Sequence, residues 1–214
     1  MHGVLSHLGY LAGGLGTTLE LSLLGFAGAL LLGTLLTVLR VGPVLPLRLL
    51  GTLYVEVFRN VPLLAFLVLF VFGLPDAGVT YPLFTSEAAC LALYFAAYVC
   101  EALRAGINAV PVGQAEAARA IGMTFGQSLA LVIFPQAFRT MVQPLANILI
   151  GVVLSSSLGA AVGVSELIGR TQWLDLKYDE PVPTFLLAAA GYVLVTATVA
   201  LLAGRLQKRM AVRR

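Results

Sequence analysis

Charged residues are scarce in this chain, and their scarcity excludes most classes of soluble protein. Only 11% of the 214 residues are charged and 59% are hydrophobic, and the mean hydropathy is +0.96. Ordinary soluble domains carry roughly 25% charged residues. The formal net charge of +3 does not indicate nucleic-acid binding, because the basic residues are scattered or terminal and no aromatic platform accompanies them. The composition predicts an integral membrane protein that binds no nucleic acid.

Cysteines, histidines and catalytic motifs are also sparse. Cys90 and Cys100 lie in one apolar helical segment, which separates them by about 15 Å and prevents a disulfide bond. His2 and His7 have no cluster of cysteines or carboxylates nearby, so we expect no metal site. The chain contains no phosphate-binding loop, no His-Glu-x-x-His pair and no Gly-x-Ser-x-Gly nucleophile. We therefore expect no catalytic residue and no bound cofactor, and the chain is predicted not to be an enzyme.

Five apolar segments are long enough to cross a bilayer, since each crossing needs about 20 apolar residues. The predicted spans cover about residues 17–39, 49–74, 88–109, 129–154 and 184–204. Pro62 interrupts the second segment and predicts a kink, whereas Pro135 and Pro144 predict a break in the fourth. Segment 111–128 is rich in alanine and too polar to cross, so we expect short helices at the membrane surface. Residues 1–214 are thus predicted to form a single all-α membrane domain.

The basic residues predict how these spans are oriented. Of the thirteen lysines and arginines, nine fall on the side of the membrane that holds the C-terminus. These nine are Arg40, Arg48, Arg104, Arg119, Arg205, Lys208, Arg209, Arg213 and Arg214. Arg170 and Lys177 fall on the opposite side. The positive-inside rule then places the N-terminus outside and the C-terminus, with segment 111–128, in the cytoplasm.

The second, third and fourth spans contain polar groups that hydrocarbon would penalise by several kcal/mol if they were unpaired. The second span carries Glu56, Arg59 and Asn60, and the fourth carries Gln143 and Asn147. We expect these residues to line a substrate path, with Glu56 as the ion-pair partner of Arg59. The alternative is a purely structural role, in which polar groups help the helices to pack.

Segment 111–128 carries the most specific pattern in the chain. Glu116, Ala117 and Ala118 are followed by Gly122, six residues after the glutamate. The alanines predict a helix with little side-chain bulk, which a partner can approach closely. Gly122 can adopt the left-handed conformation that ends such a helix, and Arg119 is close enough to Glu116 to pair with it. A plain surface helix without a docking role is the alternative.

This pattern resembles the EAA motif of bacterial ABC-importer permeases, and further runs resemble the polar amino-acid permeases. Gly16-Thr17-Thr18-Leu19 is similar to their opening, and residues 56–64 are similar to their Glu-x-Phe-Arg-Gly-Thr-Pro-Leu-Leu run. Residues 101–107 resemble the run that leads into their coupling helix. The resemblance covers nearly the whole chain and implies a type I ABC-importer transmembrane domain. The coupling residues that it implies are Glu116, Ala117, Ala118 and Gly122.

The resemblance also implies a complex in the bacterial cell membrane. Its expected partners are a cytoplasmic ABC ATPase dimer that binds ATP and Mg²⁺, a second permease subunit and an extracytoplasmic substrate-binding protein. A different second permease chain is favoured, and a second copy of this chain is the alternative. The expected function is ATP-driven import of a polar amino acid. An ion-coupled secondary transporter or channel is the rival function, since neither needs a helix that docks on an ATPase.

Residues 154–158 depart from the family pattern in a way that bears on the substrate. The chain has Leu-Ser-Ser-Ser-Leu where family members often have Lys-Asp-Thr-Ser-Leu. An acidic residue there suits a cationic amino acid, whereas hydroxyls can donate to a carboxylate. The departure therefore favours glutamate, aspartate or glutamine. The candidate path residues are Glu56, Arg59, Asn60, Gln143, Asn147, Ser155, Ser156 and Ser157.

Overall fold

The computed structural model describes residues 6–210, and every regular element in that range is a helix. Four helices are long and apolar enough to cross a membrane, and a bent pair forms a fifth candidate span. The predicted all-α membrane architecture with about five spans is therefore confirmed. His2, Arg213 and Arg214, which entered the predictions about metal binding and orientation, lie outside the described residues.

The spans are longer than the apolar runs that predicted them. Helices α1 to α4 cover Leu8–Val41, Leu45–Asn60, Leu63–Asp76 and Leu83–Asn108. Helices α5 to α8 cover Val112–Ala120, Phe125–Val162, Leu167–Tyr178 and Pro181–Met210. Each span runs beyond its apolar core because the backbone keeps its internal hydrogen bonds in the helix, whichever side chains it carries there. Helices α1, α4, α6 and α8 are the single spans.

Pro62 divides the second span into α2 and α3, as the sequence predicts. Helix α2 ends at Asn60, and Val61 and Pro62 have extended backbone, with ψ of 134° and 129°. A proline disfavours helical conformation in the residue before it and has no amide to donate. The two helices meet at 104°. The polar end of α2 therefore lies at a sharp corner.

The predicted break in the fourth span is wrong. Helix α6 continues through both Pro135 and Pro144. A π-helical turn over Leu129–Ile133 directly precedes Pro135, and such a wider turn accommodates a bulky ring within a helix. Each proline removes only one hydrogen bond of the helical ladder, and α6 is supported by packing against α4 and α8.

Small residues bring α1 and α4 together at the centre of the fold. A methyl group added at Gly28 or Gly33 of α1 would overlap Ala92 or Val99 of α4. Helices in a bilayer associate through such close packing, because lipid chains are as apolar as the side chains they replace. Helices α2 and α6 pack around this pair.

Glu166 links three helices near one end of the bundle. Its side chain is fully buried and accepts hydrogen bonds from the hydroxyls of Thr18, at 3.3 Å, and Tyr192, at 2.8 Å. It also caps α7 by accepting from the amides of Ile168, at 2.9 Å, and Gly169, at 2.7 Å. One carboxylate thus holds α1, α7 and α8 in fixed positions.

We expect Glu166→Ala to lower the free energy of unfolding by about 2 kcal/mol or more, because it removes a helix cap and the carboxylate to which the buried hydroxyls of Thr18 and Tyr192 donate. Ser165→Ala is the matched control, since the Ser165 side chain is exposed. Denaturant titration of the purified protein in detergent measures both variants. Equal stability of the two would contradict the role assigned to Glu166.

Candidate coupling surface and substrate path

Helix α5 is a short, separate helix between α4 and α6. Pro111 precedes it with extended backbone, at ψ of 137°, and its ring suits the position just before the first turn. Ala118 is only 3% exposed, because α5 packs there against the first turns of α6. Glu116 and Ala117 are exposed on the other side of the helix. One face of α5 is therefore anchored, and the rest of the helix exposes the small Ala117 and the charged Glu116 and Arg119.

Gly122 ends α5 in the left-handed conformation that the sequence predicts, with φ of +83°. The amide of Gly122 donates to the carbonyl of Arg119 at 3.0 Å, and that of Met123 donates to the carbonyl of Ala118 at 3.1 Å. This pair of bonds is the Schellman motif. A capping box at Thr124 then starts α6. The connection from α5 to α6 is thus fixed by four hydrogen bonds.

Large apolar side chains are exposed around α5, which the sequence analysis did not single out. Val112, Ile121 and Phe125 are 72%, 79% and 80% exposed. Exposed groups of this kind mark interaction surfaces. The ion pair predicted between Glu116 and Arg119 is not formed within residues 6–210, and both side chains are exposed. The coupling surface, as named from here on, comprises Val112, Glu116, Ala117, Ile121 and Phe125.

Glu101 of α4 gathers arginines from three helices. Its carboxylate pairs with Arg40 of α1 and, at 2.9 Å, with Arg104 of α4 itself. Arg59 of α2 lies 4.0 Å from the same carboxylate. A single carboxylate thus pins the ends of α1 and α2 to α4, and the cluster keeps an excess of positive charge.

Arg59 is the loosest member of this cluster. Its side chain is 45% exposed, against 11% for Arg40, and its guanidinium lies 5.8 Å from the ring centre of Tyr98. The prediction that Glu56 pairs with Arg59 is wrong, because the corner after α2 directs Arg59 towards α4. Asn60 donates to the backbone carbonyl of Glu56 at 2.7 Å. A half-exposed guanidinium with one long ionic contact can exchange that contact for a ligand carboxylate.

Polar side chains recur along one face of α6. Gln136, Thr140, Gln143 and Asn147 are spaced by three or four residues, which puts them on the same side of a helix. Gln143 donates to the Asn147 side chain over a long 3.5 Å contact, and Asn147 is exposed. Amides on the surface of a membrane helix require water or another protein chain. This face is therefore unsuited to contact with lipid.

The three serines of residues 155–157 lie where α6 tightens into a 3-10 turn, which begins at Ser156. The hydroxyl of Ser156 donates to the carbonyl of Val153 at 2.8 Å, and that of Ser157 donates to the carbonyl of Leu154 at 2.6 Å. Both donors are thus used within the helix. Donation from these hydroxyls to a substrate carboxylate requires the segment to rearrange.

The candidate path residues form two groups on different helices. The first group, Glu56, Arg59 and Asn60, lies at the corner of α2, which packs against α1 and α4. The second group comprises Gln143, Asn147 and the serines of residues 155–157 on α6, which packs against α4 and α8. One copy of the described chain therefore does not bring the eight residues into one pocket.

Comparison with known proteins shows that the sequence and fold of this chain are similar to those of transport proteins. The family model described as binding-protein-dependent transport system inner membrane component matches residues 29–212. The probable glutamine ABC transporter permease GlnM of Bacillus subtilis is 35% identical, and the alignment covers 90% of this chain and 89% of GlnM. The glutamate transport system permease GluC of Corynebacterium glutamicum is 34% identical over 92% of each chain. A crystal structure of an amino acid ABC transporter with histidines has a TM-score of 0.91 and 31% identity, over 96% of both chains.

The two arginines that contact Glu101 from α1 and α2 are expected to differ in their effect on stability. Arg40→Gln should lower the free energy of unfolding by about 2 kcal/mol, because it breaks a partly buried ion pair. Arg59→Gln should lower it by less than about 0.5 kcal/mol, since its contact is long and solvated. Denaturant titration in detergent compares the two. A loss with Arg59→Gln as large as that with Arg40→Gln would show that Arg59 is structural.

Proposed function

The chain belongs to the family of binding-protein-dependent transport system inner membrane components, and we propose that it carries glutamate, aspartate or glutamine across the cell membrane. It is a membrane permease subunit of an ABC importer and not an enzyme. The observation that carries the proposal is the coupling surface: a Schellman-capped helix with large apolar side chains exposed on it, at its end and at the first residue of α6. Such a surface needs a partner.

That partner, in our proposal, is a cytoplasmic ATPase dimer that binds ATP and Mg²⁺. The family works with ATPase and substrate-binding partners in general. The small side chains of Ala117 and its neighbours allow close approach of a docking groove, and Glu116 adds a charge for recognition. The same assignment puts α5 and the C-terminus in the cytoplasm and the N-terminus outside, in agreement with the excess of lysines and arginines on one side.

A second permease chain is the proposed cover for the polar face of α6. Asn147 is exposed and Gln143 is half-buried on that face, and their one mutual contact is long, so a single copy in lipid would leave amide groups unsatisfied. Packing two permease chains face to face would enclose these groups around an aqueous path and would bring further polar groups to it. We favour a second, different permease chain, with two copies of this chain as the alternative.

The proposed mechanism is alternating access. ATP binding closes the ATPase dimer, the coupling surface moves with it, and α6 transmits the movement to the polar face in the membrane. The extracytoplasmic binding protein delivers the amino acid while the path is open to the outside. An ATP-driven cycle needs such a two-state element, whereas an ion-coupled transporter or channel would not need the coupling surface.

Arg59 is the proposed contact for a substrate carboxylate. It is half-exposed and loosely paired, and a guanidinium binds a carboxylate through two parallel hydrogen bonds. Residues 155–157 carry no acidic side chain that would attract a cationic amino acid. Two of the relatives are named for glutamine and glutamate. These observations favour an acidic or amide amino acid over arginine, lysine or histidine.

Gly122 provides the sharpest test of coupling. Gly122→Val should lower ATP-dependent uptake about tenfold, because a β-branched residue at φ of +83° costs roughly 1–2 kcal/mol of backbone strain. Gly122→Asn should keep most of the uptake, since asparagine tolerates the left-handed conformation. Uptake is measured in proteoliposomes containing the assembled complex, with chain levels checked by immunoblotting.

Gly126→Ala is the matched control for Gly122→Val, because Gly126 is helical and an added methyl group there meets open space. It should leave uptake unchanged. Full uptake by Gly122→Val, at equal chain level, would contradict the assigned role of α5.

Substrate class and energy source are tested together by competition and depletion. Excess unlabelled glutamate or glutamine should suppress uptake of labelled glutamate, and arginine should not. Arg59→Gln should raise the KM for glutamate about tenfold or more, because a charge-assisted bidentate contact contributes roughly 1.5–3 kcal/mol. Competition by arginine alone would contradict the substrate class. Uptake driven by an ion gradient in vesicles without ATP would favour a secondary transporter.

A further inference from the structure

Glu87 is a buried carboxyl group that the proposed transport cycle does not use. It lies in the second turn of α4 with none of its surface exposed. Neither carboxyl oxygen accepts a well-aligned hydrogen bond in the described chain, and the backbone amide of Gly159 is the one donor close to them. Cys90, one turn further along α4, belongs to an apolar cluster that includes Leu67 and Val162. An ionised carboxylate in such surroundings costs several kcal/mol unless it is paired.

The carboxyl group of Glu87 lies directly against the 3-10 turn of α6. A methyl group added at Gly159 would overlap both Glu87 oxygens, so only glycine leaves room for the acid. Gly159 belongs to the turn Ser156–Val162, which starts within the serine run. The acid is therefore in contact with the segment that carries Ser156 and Ser157.

A second buried carboxylate, Glu166, interacts electrostatically with Glu87. The two have opposite environments. Glu166 accepts four hydrogen bonds, two from hydroxyls and two from amides, whereas Glu87 has only the poorly aligned amide of Gly159 near its oxygens. Burial without aligned donors penalises the charged form of a carboxyl group, so such a group favours its protonated form.

From this asymmetry we propose that Glu87 is a proton-binding site, protonated in the described conformation and able to lose its proton to water when the turn Ser156–Val162 moves away. Only an O–H bond breaks in that step, and the electron pair stays on the carboxylate. Three titratable groups lie around Glu87. Glu166 interacts with it from the loop before α7, and Cys90 does so from α4. Tyr192 of α8 is linked to it indirectly, because its hydroxyl donates to Glu166. The described residues place no cation beside Glu87. A bound proton therefore neutralises its carboxyl group.

Loss of this proton has a defined consequence for the path. A new negative charge would lie buried against Gly159, and a buried charge without aligned donors is strongly disfavoured until water or a donor reaches it. The turn Ser156–Val162 would be displaced, and the serines at its start would move with it. In the proposed function, on which this consequence rests, those serines line the path. ATP-driven uptake should therefore fall as the pH rises into the alkaline range.

Infrared spectroscopy of the purified chain in detergent tests the proton directly. At neutral pH the wild type should show the carbonyl stretch of a protonated carboxyl group, and Glu87→Gln should lack it. Glu56→Gln, which removes an exposed carboxylate, is the control and should keep the band. Glu87→Met, which is uncharged and of similar volume, replaces Glu87→Gln if that variant fails to fold. Absence of the band in the wild type, or its survival in the Glu87 variants, overturns the proposal.

The pH profile of uptake tests the consequence. Wild-type uptake should fall about tenfold or more as Glu87 ionises, whereas Glu87→Gln should vary by less than about twofold across the same range. An identical alkaline decline in both proteins overturns the proposed control by Glu87. A complex that transports no amino acid at any pH contradicts the proposed function, and the infrared band still decides the proton site.

Discussion

The close packing of α1 on α4 is the interaction on which the rest of the structure depends. Glycines of α1, including Gly28 and Gly33, leave no space between the helices, which maximises dispersion contacts in an environment that provides no hydrophobic force between helices. Polar bonds then fix both ends of α1. Thr18 donates to Glu166 near one end, and Arg40 pairs with Glu101 at the other. The Arg40–Glu101 pair ties α1 to α4, and the Thr18–Glu166 bond ties α1 to α7 and α8.

The elements with candidate functions lie outside this fixed pair. The corner between α2 and α3 carries Arg59, whose ionic contact is long and half-exposed. Helix α5 is attached through the buried face at Ala118 and by the bonds around Gly122. Domains that switch between two states commonly combine a rigid frame with segments that repack against it. In this chain the closely packed helices α1 and α4 form the rigid frame. The corner between α2 and α3 and helix α5 are the segments outside it.

Features determined by neighbouring residues could be predicted from the sequence, and features determined by tertiary contacts could not. Pro62 bends the chain and Gly122 ends a helix through their own backbone preferences, so both were predictable. The partner of Arg59 depends on which helices meet at the corner, so the sequence alone suggested Glu56, whereas the fold brings Glu101 to it. The continuity of α6 through Pro135 and Pro144 likewise depends on packing against α4 and α8. The contrast between Glu87 and Glu166 arises entirely from their neighbours in the folded chain.

The continuity of α6 has a mechanical consequence. A helix over Phe125–Val162 is about 57 Å long at 1.5 Å per residue, enough to reach across the bilayer and beyond it. Its first turn is fixed to α5 through Gly122 and Thr124, and its last turn lies against Glu87 at Gly159. A break at either proline would absorb a movement of α5 before it reached Asn147. Because α6 is unbroken, a displacement of the coupling surface reaches the polar face and the serine turn, and a charge at Glu87 acts on the same helix from its other end.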